Sequence, residues 1–194
     1  RTKAIIVVDI FGLPSDWDAI MALATKHGLL VIEDAAQAPG ARYKGRWAGT
    51  LGHIGVFSLN YHKTIHSGEG GVCVTSDPRL AERMQLIRNH AEVVVTKKPC
   101  DDLSNMIGFN YRMTEIEAAI AFEQLRKLDD LVSARQANAA FLDDKLASLP
   151  GLTTPYVAPN VEHGYYVYSM KYDAVATGVP RSKVVQALQA EGLP

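Results

Sequence analysis

The sequence predicts an α/β fold built around a parallel sheet. Two patterns carry that reading: short β-branched runs bounded by glycine or proline, and a strand–helix–strand succession at the start of the chain. A third, sustained helical spacing from Thr114 to Pro150, adds a long helical connector behind the sheet.

Ala-Ile-Ile-Val-Val over residues 4–8 reads as a buried strand. Gly12-Leu13-Pro14 makes a turn, and Ser15 reads as the cap of a helix over 16–27. Ile20, Leu23 and Ala24 would form its apolar stripe, and Gly28 ends it. The run 29–33 is a second strand, and the resulting βαβ unit implies parallel pairing. Residues 35–55, rich in glycine and small side chains, read as an irregular loop. Short strands at 56–59 and 71–75 then flank a glycine-rich segment, and Leu80, Met84 and Ile87 space a helix over 78–90. Residues 91–108 lack periodicity and read as a polar surface excursion. Thr114 opens the long helix, kinked or straight, with Ile116, Ile120, Leu125, Leu128, Leu131, Leu142 and Leu146 recurring until Pro150 stops it. Tyr165 to Tyr172 alternates like a strand, and 182–191 has the spacing of a short helix. The expected division is a large domain over 1–112, a connecting helix over 113–149 and the start of a smaller domain over 150–194. Both ends read as cut: the chain enters a strand within three residues, and it stops just past a helix.

Composition bounds the function. With 47% hydrophobic and 21% charged residues the chain belongs with ordinary globular proteins, not with disordered or fibrous ones. A formal net charge of -1 gives no field to attract nucleic acid or an anionic membrane. The apolar runs are strand-sized, so no bilayer span is expected. Cys73 and Cys100 have neither CxxC spacing nor paired histidines, which argues against a metal site and for reduced thiols in a cytoplasmic protein.

Three features could carry chemistry. Asp34 stands at the carboxyl end of a buried parallel strand, where α/β folds collect ligands. A carboxylate there needs a partner, and a protonated pyridine nitrogen would serve; a helix cap or a structural carboxylate is the plainer reading of Asp34 alone. Gln37 lies close enough to reach a ring substituent. Next, Phe57-Ser-Leu-Asn-Tyr-His-Lys63 leads from a strand into the glycine-rich loop. Lys63 is a candidate amine nucleophile and Ser58 a hydroxyl suited to a phosphate oxygen, although a lysine beside a serine is more often a surface pair. Finally, Ser67-Gly-Glu-Gly-Gly71 gives the backbone freedom to pass close to a ligand. No Lys-Ser/Thr follows it and no GxGxxG occurs, which excludes the common nucleotide loops.

These motifs stand in a telling order. Glu33-Asp-Ala-Ala-Gln-Ala-Pro-Gly-Ala-Arg-Tyr-Lys-Gly-Arg46, then Gly-Val-Phe-Ser-Leu-Asn-Tyr-His-Lys63, Gly-Glu-Gly-Gly71 and Gly108-Phe-Asn-Tyr-Arg-Met-Thr-Glu-Ile-Glu-Ala-Ala119 resemble the DegT/DnrJ/EryC1/StrS family of sugar aminotransferases over most of the chain. The resemblance implies the aspartate-aminotransferase-like fold type I and pyridoxal 5'-phosphate as cofactor. It implies that Asp34 binds the pyridine nitrogen, Gln37 lies near the ring hydroxyl, Ser58 holds the phosphate and Lys63 carries the cofactor as a Schiff base. Asn110 would cross a homodimer interface to the neighbouring subunit's phosphate, and Arg112 would face phosphate or substrate. The implied reaction moves an amino group from an amino-acid donor, L-glutamate, to a nucleotide-linked keto-sugar. Some relatives carry histidine in place of the lysine and are dehydratases, so Lys63 favours transamination; a dehydratase, a cyclitol aminotransferase and a non-catalytic cofactor- or sugar-binding regulator are the alternatives. His62 and His66 depart from the family pattern, and both read as structural histidines before substrate contacts.

Overall fold

The computed structural model describes residues 1–92 and 106–193. Its centre is a four-stranded sheet in the order β1-β2-β5-β6, from β1 (Ala4–Val8), β2 (Leu30–Asp34), β5 (Ile54–Ser58) and β6 (Gly71–Val74). The first three strands are parallel, in register from Val8 opposite Asp34 to Asp34 opposite Val56. Antiparallel β6 closes the sheet, with Ser58 opposite Gly71.

Helix α1 (Trp17–His27) makes the crossover between β1 and β2. It buries Trp17 and Ala24 against Val7, Val31, Tyr43 and Leu51, while Leu23, expected in the stripe, stays half exposed. Its cap is Asp16, whose carboxylate accepts from Ala19 N–H, and not Ser15. Ser15 is engaged elsewhere: its N–H donates to Asp9 and its hydroxyl to the Val8 carbonyl. Gly28 ends the helix in the left-handed conformation, as expected.

The stretch read as an irregular loop contains a small hairpin, β3 (Arg42–Tyr43) and β4 (Arg46–Trp47), against which β8 (Val161–Glu162) pairs. The Arg42 guanidinium lies 3.3 Å from the Trp47 ring centroid, a contact that holds the two hairpin arms together. Helix α2 (Pro78–Arg88) is capped by Asp77.

The long helix is two helices. Thr114 caps α3 (Glu115–Leu125) through a capping box with Glu117, and α4 (Leu128–Leu146) follows after a break at Arg126–Lys127. Lys127 has φ −94 and ψ −4, a turn geometry that interrupts the helical ladder without proline. Beyond α4, β7 (Leu152–Thr153) pairs with β9 (Lys171–Tyr172), and α5 (Ala174–Thr177) and α6 (Arg181–Ala190) complete the chain.

The strand expected from Tyr165 to Tyr172 forms only at its last two residues. Tyr165 takes a positive φ of 48°, which no strand accommodates, and Arg135 of α4 donates to the carbonyls of both Tyr165 and Tyr166. The aromatic alternation there reflects ring stacking of His163, Tyr165 and Tyr168. Most of the polar excursion expected over 91–108, including Cys100, lies outside the described residues; Cys73 on β6 is exposed and unpaired among the described residues. Among the described residues no helix is long and apolar enough to cross a membrane.

Candidate active site

Parallel β1, β2 and β5 deliver their carboxyl ends to one edge of the sheet, so Asp34 and Ser58 end neighbouring strands there. One oxygen of Asp34 accepts from Ala36 N–H at 3.1 Å, which folds the chain back beyond β2 and fixes the carboxylate's direction. Its other oxygen makes no hydrogen bond among the described residues. Ser58 Oγ accepts from Asn60 N–H at 3.3 Å and retains its own proton for a ligand.

The turn that follows β5 presents Lys63, and Asn60 builds it. The Asn60 carbonyl accepts from Lys63 N–H at 2.9 Å, its side-chain oxygen accepts from His62 N–H at 3.1 Å, and its amide donates to Glu69. The glycine-rich segment latches onto this turn: Leu59 N–H donates to the Gly70 carbonyl, and Ser67 N–H to that of Leu59. Its glycines therefore serve the turn's own backbone, and Gly70 also admits Met113, whose methyl would lie 2.8 Å from a Cβ placed there.

Lys63 is half buried, and its Nζ stands 5.1 Å from the centroid of the Tyr166 ring. No carboxylate pairs with it among the described residues. Tyr166 was not legible as a site residue, because its place there depends on a return of the chain from far along the sequence. That return is tight. Gly164 N–H donates to the Gly12 carbonyl at 2.8 Å, and a Cβ on Gly12 would meet the Gln37 carbonyl at 2.8 Å and Tyr166 N at 3.1 Å. Gln37 is oriented from the same turn, its Oε1 accepting from Phe11 N–H at 2.7 Å. The fold thus gathers Gln37 and Lys63 around the Gly12–Tyr166 contact, beside the strand ends that carry Asp34 and Ser58.

His163, buried below this cluster, accepts from Tyr165 N–H through Nδ1 at 3.0 Å. Burial holds its imidazole below the usual histidine range, against an opposing hydrogen bond with Gly12. A cavity of about 200 Å³ next to the Tyr165–Tyr168 segment has Arg135, Leu142, Tyr165, Tyr166 and Tyr168 among its lining residues.

Asn110 and Arg112 occupy a different place. Asn110 forms a backbone bridge with Asn89 at the end of α2, and Arg112 donates to the Asn89 side-chain oxygen at 2.9 Å. Both are exposed. His62 is exposed with its ring against Tyr61, and His66 is half buried.

The residue types at this edge fit a pyridoxal phosphate. Among the described residues there is a carboxylate with one oxygen uncommitted for a ring nitrogen, a hydroxyl proton for a phosphate and an amine held without a carboxylate partner.

A parallel α/β sheet with a strand-end carboxylate and a lysine turn at its carboxyl edge defines the class: an α/β scaffold of the kind that collects ligands at its strand ends. The chain belongs to the DegT/DnrJ/EryC1/StrS aminotransferase family, which it matches over residues 1–194. It is 38% identical over 194 residues to the GDP-perosamine synthase of Caulobacter vibrioides, covering 100% of this chain and 51% of that protein. It is 37% identical over 202 residues to the L-glutamine:2-deoxy-scyllo-inosose aminotransferase of Streptoalloteichus tenebrarius, covering 100% and 47%. Among solved structures it resembles the Escherichia coli GDP-4-keto-6-deoxy-D-mannose-3-dehydratase with bound hydrated PLP, with a TM-score of 0.87 and 30% identity over 100% of this chain and 52% of that one. The chain therefore spans about half the length of the relatives it matches.

Proposed function

We propose that this chain carries the lysine-bearing part of the active site of a pyridoxal-phosphate-dependent aminotransferase that converts a nucleotide-linked keto-sugar to the amino sugar. The observation that carries the reading is Lys63: a half-buried amine with no carboxylate partner among the described residues, on a turn beside the strand that ends in Asp34. The family match and the sugar-directed relatives support it.

Asp34 would hold the ring nitrogen, with Gln37 at the ring, Ser58 at the phosphate and Lys63 at the aldehyde carbon. When bound, pyridoxal phosphate supplies an electron-withdrawing cationic ring that stabilises negative charge at the carbon bearing the amine. The chain's own residues do the rest. Asp34, anchored by Ala36 N–H, keeps a negative charge against the ring nitrogen so that its proton stays in place. Lys63 Nζ would take the proton from the donor's amine-bearing carbon and deliver it to the cofactor carbon that had carried the aldehyde, as general base and then acid, and run the transfer in reverse on the keto-sugar. Tyr166, set against Nζ, limits the directions the amine can take and keeps water from one side of it.

We further infer a homodimer whose active site lies at the interface, with Asn110 donated to the neighbouring subunit. An exposed Asn110 and Arg112 at the end of α2 agree with such a crossing. The same reading places the protein in the cytoplasm, takes L-glutamate as the amino donor, and divides the chain into a cofactor-binding domain over 1–112, a connector over 113–149 and the start of a smaller domain. Arg112 is then a substrate- or phosphate-facing residue freed from Asn89.

A cyclitol ketone is the second acceptor to consider, because one relative of comparable identity is named for that substrate. The test is a product assay on the full-length protein with pyridoxal phosphate, L-glutamate and either ketone. Amino sugar formed with stoichiometric 2-oxoglutarate, and lost in Lys63→Ala, is the expected result. Deoxygenated sugar without lasting amine incorporation would make the protein a dehydratase; no turnover with any acceptor, and none of the cofactor's absorbance at Lys63, would sink the reading.

A further inference from the structure

Directly behind Asp34 lie two carboxyl groups that the mechanism does not use. Asp9, at the end of β1, and Glu33, in β2, are both fully shielded from solvent. Both oxygens of Glu33 are filled from a single loop: Gly49 N–H donates to one, and Leu51 and Gly52 N–H to the other at 2.7 and 3.1 Å. Gly55 permits that loop's close approach, since a Cβ there would lie 1.8 Å from the Gly49 carbonyl oxygen. Asp9 differs. One of its oxygens accepts from Ser15 N–H at 2.9 Å and from the Trp17 indole at 3.2 Å, but the other, Oδ2, is buried with no donor. The strand register sets it beside Glu33: Val7 pairs with Glu33, and Asp9, two residues further on, points to the same buried face of the sheet.

Two bare carboxylates cannot share a dry site, because neither has a proton to give and each raises the cost of the other's charge. From this geometry we infer that Asp9 and Glu33 hold one proton between them, carried on Asp9 Oδ2 and donated to Glu33. The orphaned oxygen then becomes a donor and every polar atom of the pair is satisfied. Burial, and then the Glu33 charge against the Ser15 hydrogen bond, push the Asp9 carboxyl up to about 7. The other groups facing the pair carry no charge: the Trp17 indole from α1, Ser15 N–H from the turn, and the N–H groups of loop 49–52. The nearby His53 ring accepts from Val31 N–H, and the Asp34 carboxylate turns away to Ala36 N–H. No lysine or arginine pairs with Asp9 or Glu33 among the described residues.

The pair fastens β1 to β2 where the site begins. Asp9 N–H donates to the Asp34 carbonyl at 3.1 Å, and Asp9 also fixes the turn from which Phe11 orients Gln37. Asp9 is a positioning residue for both. That consequence for the cofactor rests on the function proposed above; the shared proton itself does not.

The sign of the pH effect is fixed by the direction of the shift. The folded chain holds the Asp9 proton more tightly than the unfolded chain, so its stabilisation is full below about pH 3.8 and is lost as pH rises to about 7. The experiment is thermal unfolding of wild type and Asp9→Asn at about pH 5 and about pH 8. An asparagine amide can donate to Glu33 as the shared proton does. The variant is therefore expected to shed part of the wild type's loss of midpoint between the two pH values, and to equal or exceed wild type at the higher one. Identical pH dependence in the two proteins would overturn the inference. Should Asp9→Asn fail to fold, carboxyl carbon NMR of wild type labelled in aspartate decides alone: one aspartate titrating near neutrality is expected, and titration of every aspartate in the ordinary acid range refutes the shared proton.

Discussion

Lys63 Nζ and the Tyr166 ring face each other at 5.1 Å, although the two residues belong to opposite halves of the chain. A cation over an aromatic face at such a site is worth about 0.5–1 kcal/mol. Tyr166→Phe keeps the ring and is expected to leave the reaction of Lys63 with added pyridoxal phosphate nearly unchanged. Tyr166→Ala frees the amine and is expected to slow the rise of the cofactor's visible absorbance by about two- to fivefold. Stopped-flow absorbance on the full-length protein measures both; an unaffected alanine variant would deny the ring any positioning role.

Asp34 offers a sharper separation of binding from chemistry. Asp34→Asn preserves the acceptor for Ala36 N–H but removes the charge. The cofactor's visible absorbance at Lys63 should persist, and borohydride should still make the link irreversible, while turnover falls by at least ~100-fold. Turnover close to wild type would mean that another group holds the ring nitrogen.

Acid should loosen the Tyr165–Tyr166 segment before it unfolds the sheet. Burial keeps His163 neutral by holding its pKa down, so the stability it contributes is present above the ordinary histidine range and is lost as pH falls through the lowered value. Protonation also removes the Nδ1 acceptor of Tyr165 N–H. Amide exchange at Tyr165, corrected for intrinsic rates, should therefore accelerate at mildly acidic pH ahead of the β2 amides. Simultaneous loss of protection in both places would contradict it.

Thr114→Ala removes the side chain that accepts from Glu117 N–H and pairs with the Glu117 carboxylate. The expected cost is ~1 kcal/mol, or a midpoint lower by ~2–4 °C, without effect on cofactor binding. Thermal denaturation checks the first part and a cofactor titration the second.

The parts of this fold that were legible are those whose causes are local. Apolar runs separated by an amphipathic stretch and closed by Gly28 could only be a parallel strand pair with its crossover helix, and Asp34 followed as the strand end. Asp34, Gln37, Ser58 and Lys63 were readable as candidates because their motifs are contiguous. What failed to show depends on distant partners. Ser15 looked like the cap, yet its hydroxyl donates to the Val8 carbonyl while the buried Asp9 holds its N–H, and the capping falls to Asp16. Glu33 read as an ordinary strand residue, because the three N–H groups that allow its burial come from a loop with no polar signature. The alternation of Tyr165 to Tyr172 matched a strand in period, but Arg135 on another helix decides the backbone there. The break at Lys127 lies inside unbroken helical spacing, so periodicity passed over it.

The contact of Gly12 with Gln37 and Tyr166 has a consequence for how the molecule is made. Synthesis releases the amino-terminal strands first, so β1, α1 and β2 can pair while the ribosome is still working. Lys63 emerges with its own turn already specified by Asn60. The wall that Tyr166 supplies arrives only after both long helices have been made. Until then the nascent chain carries a reactive amine with one side open, and it is a segment synthesised only after α4 that shuts it.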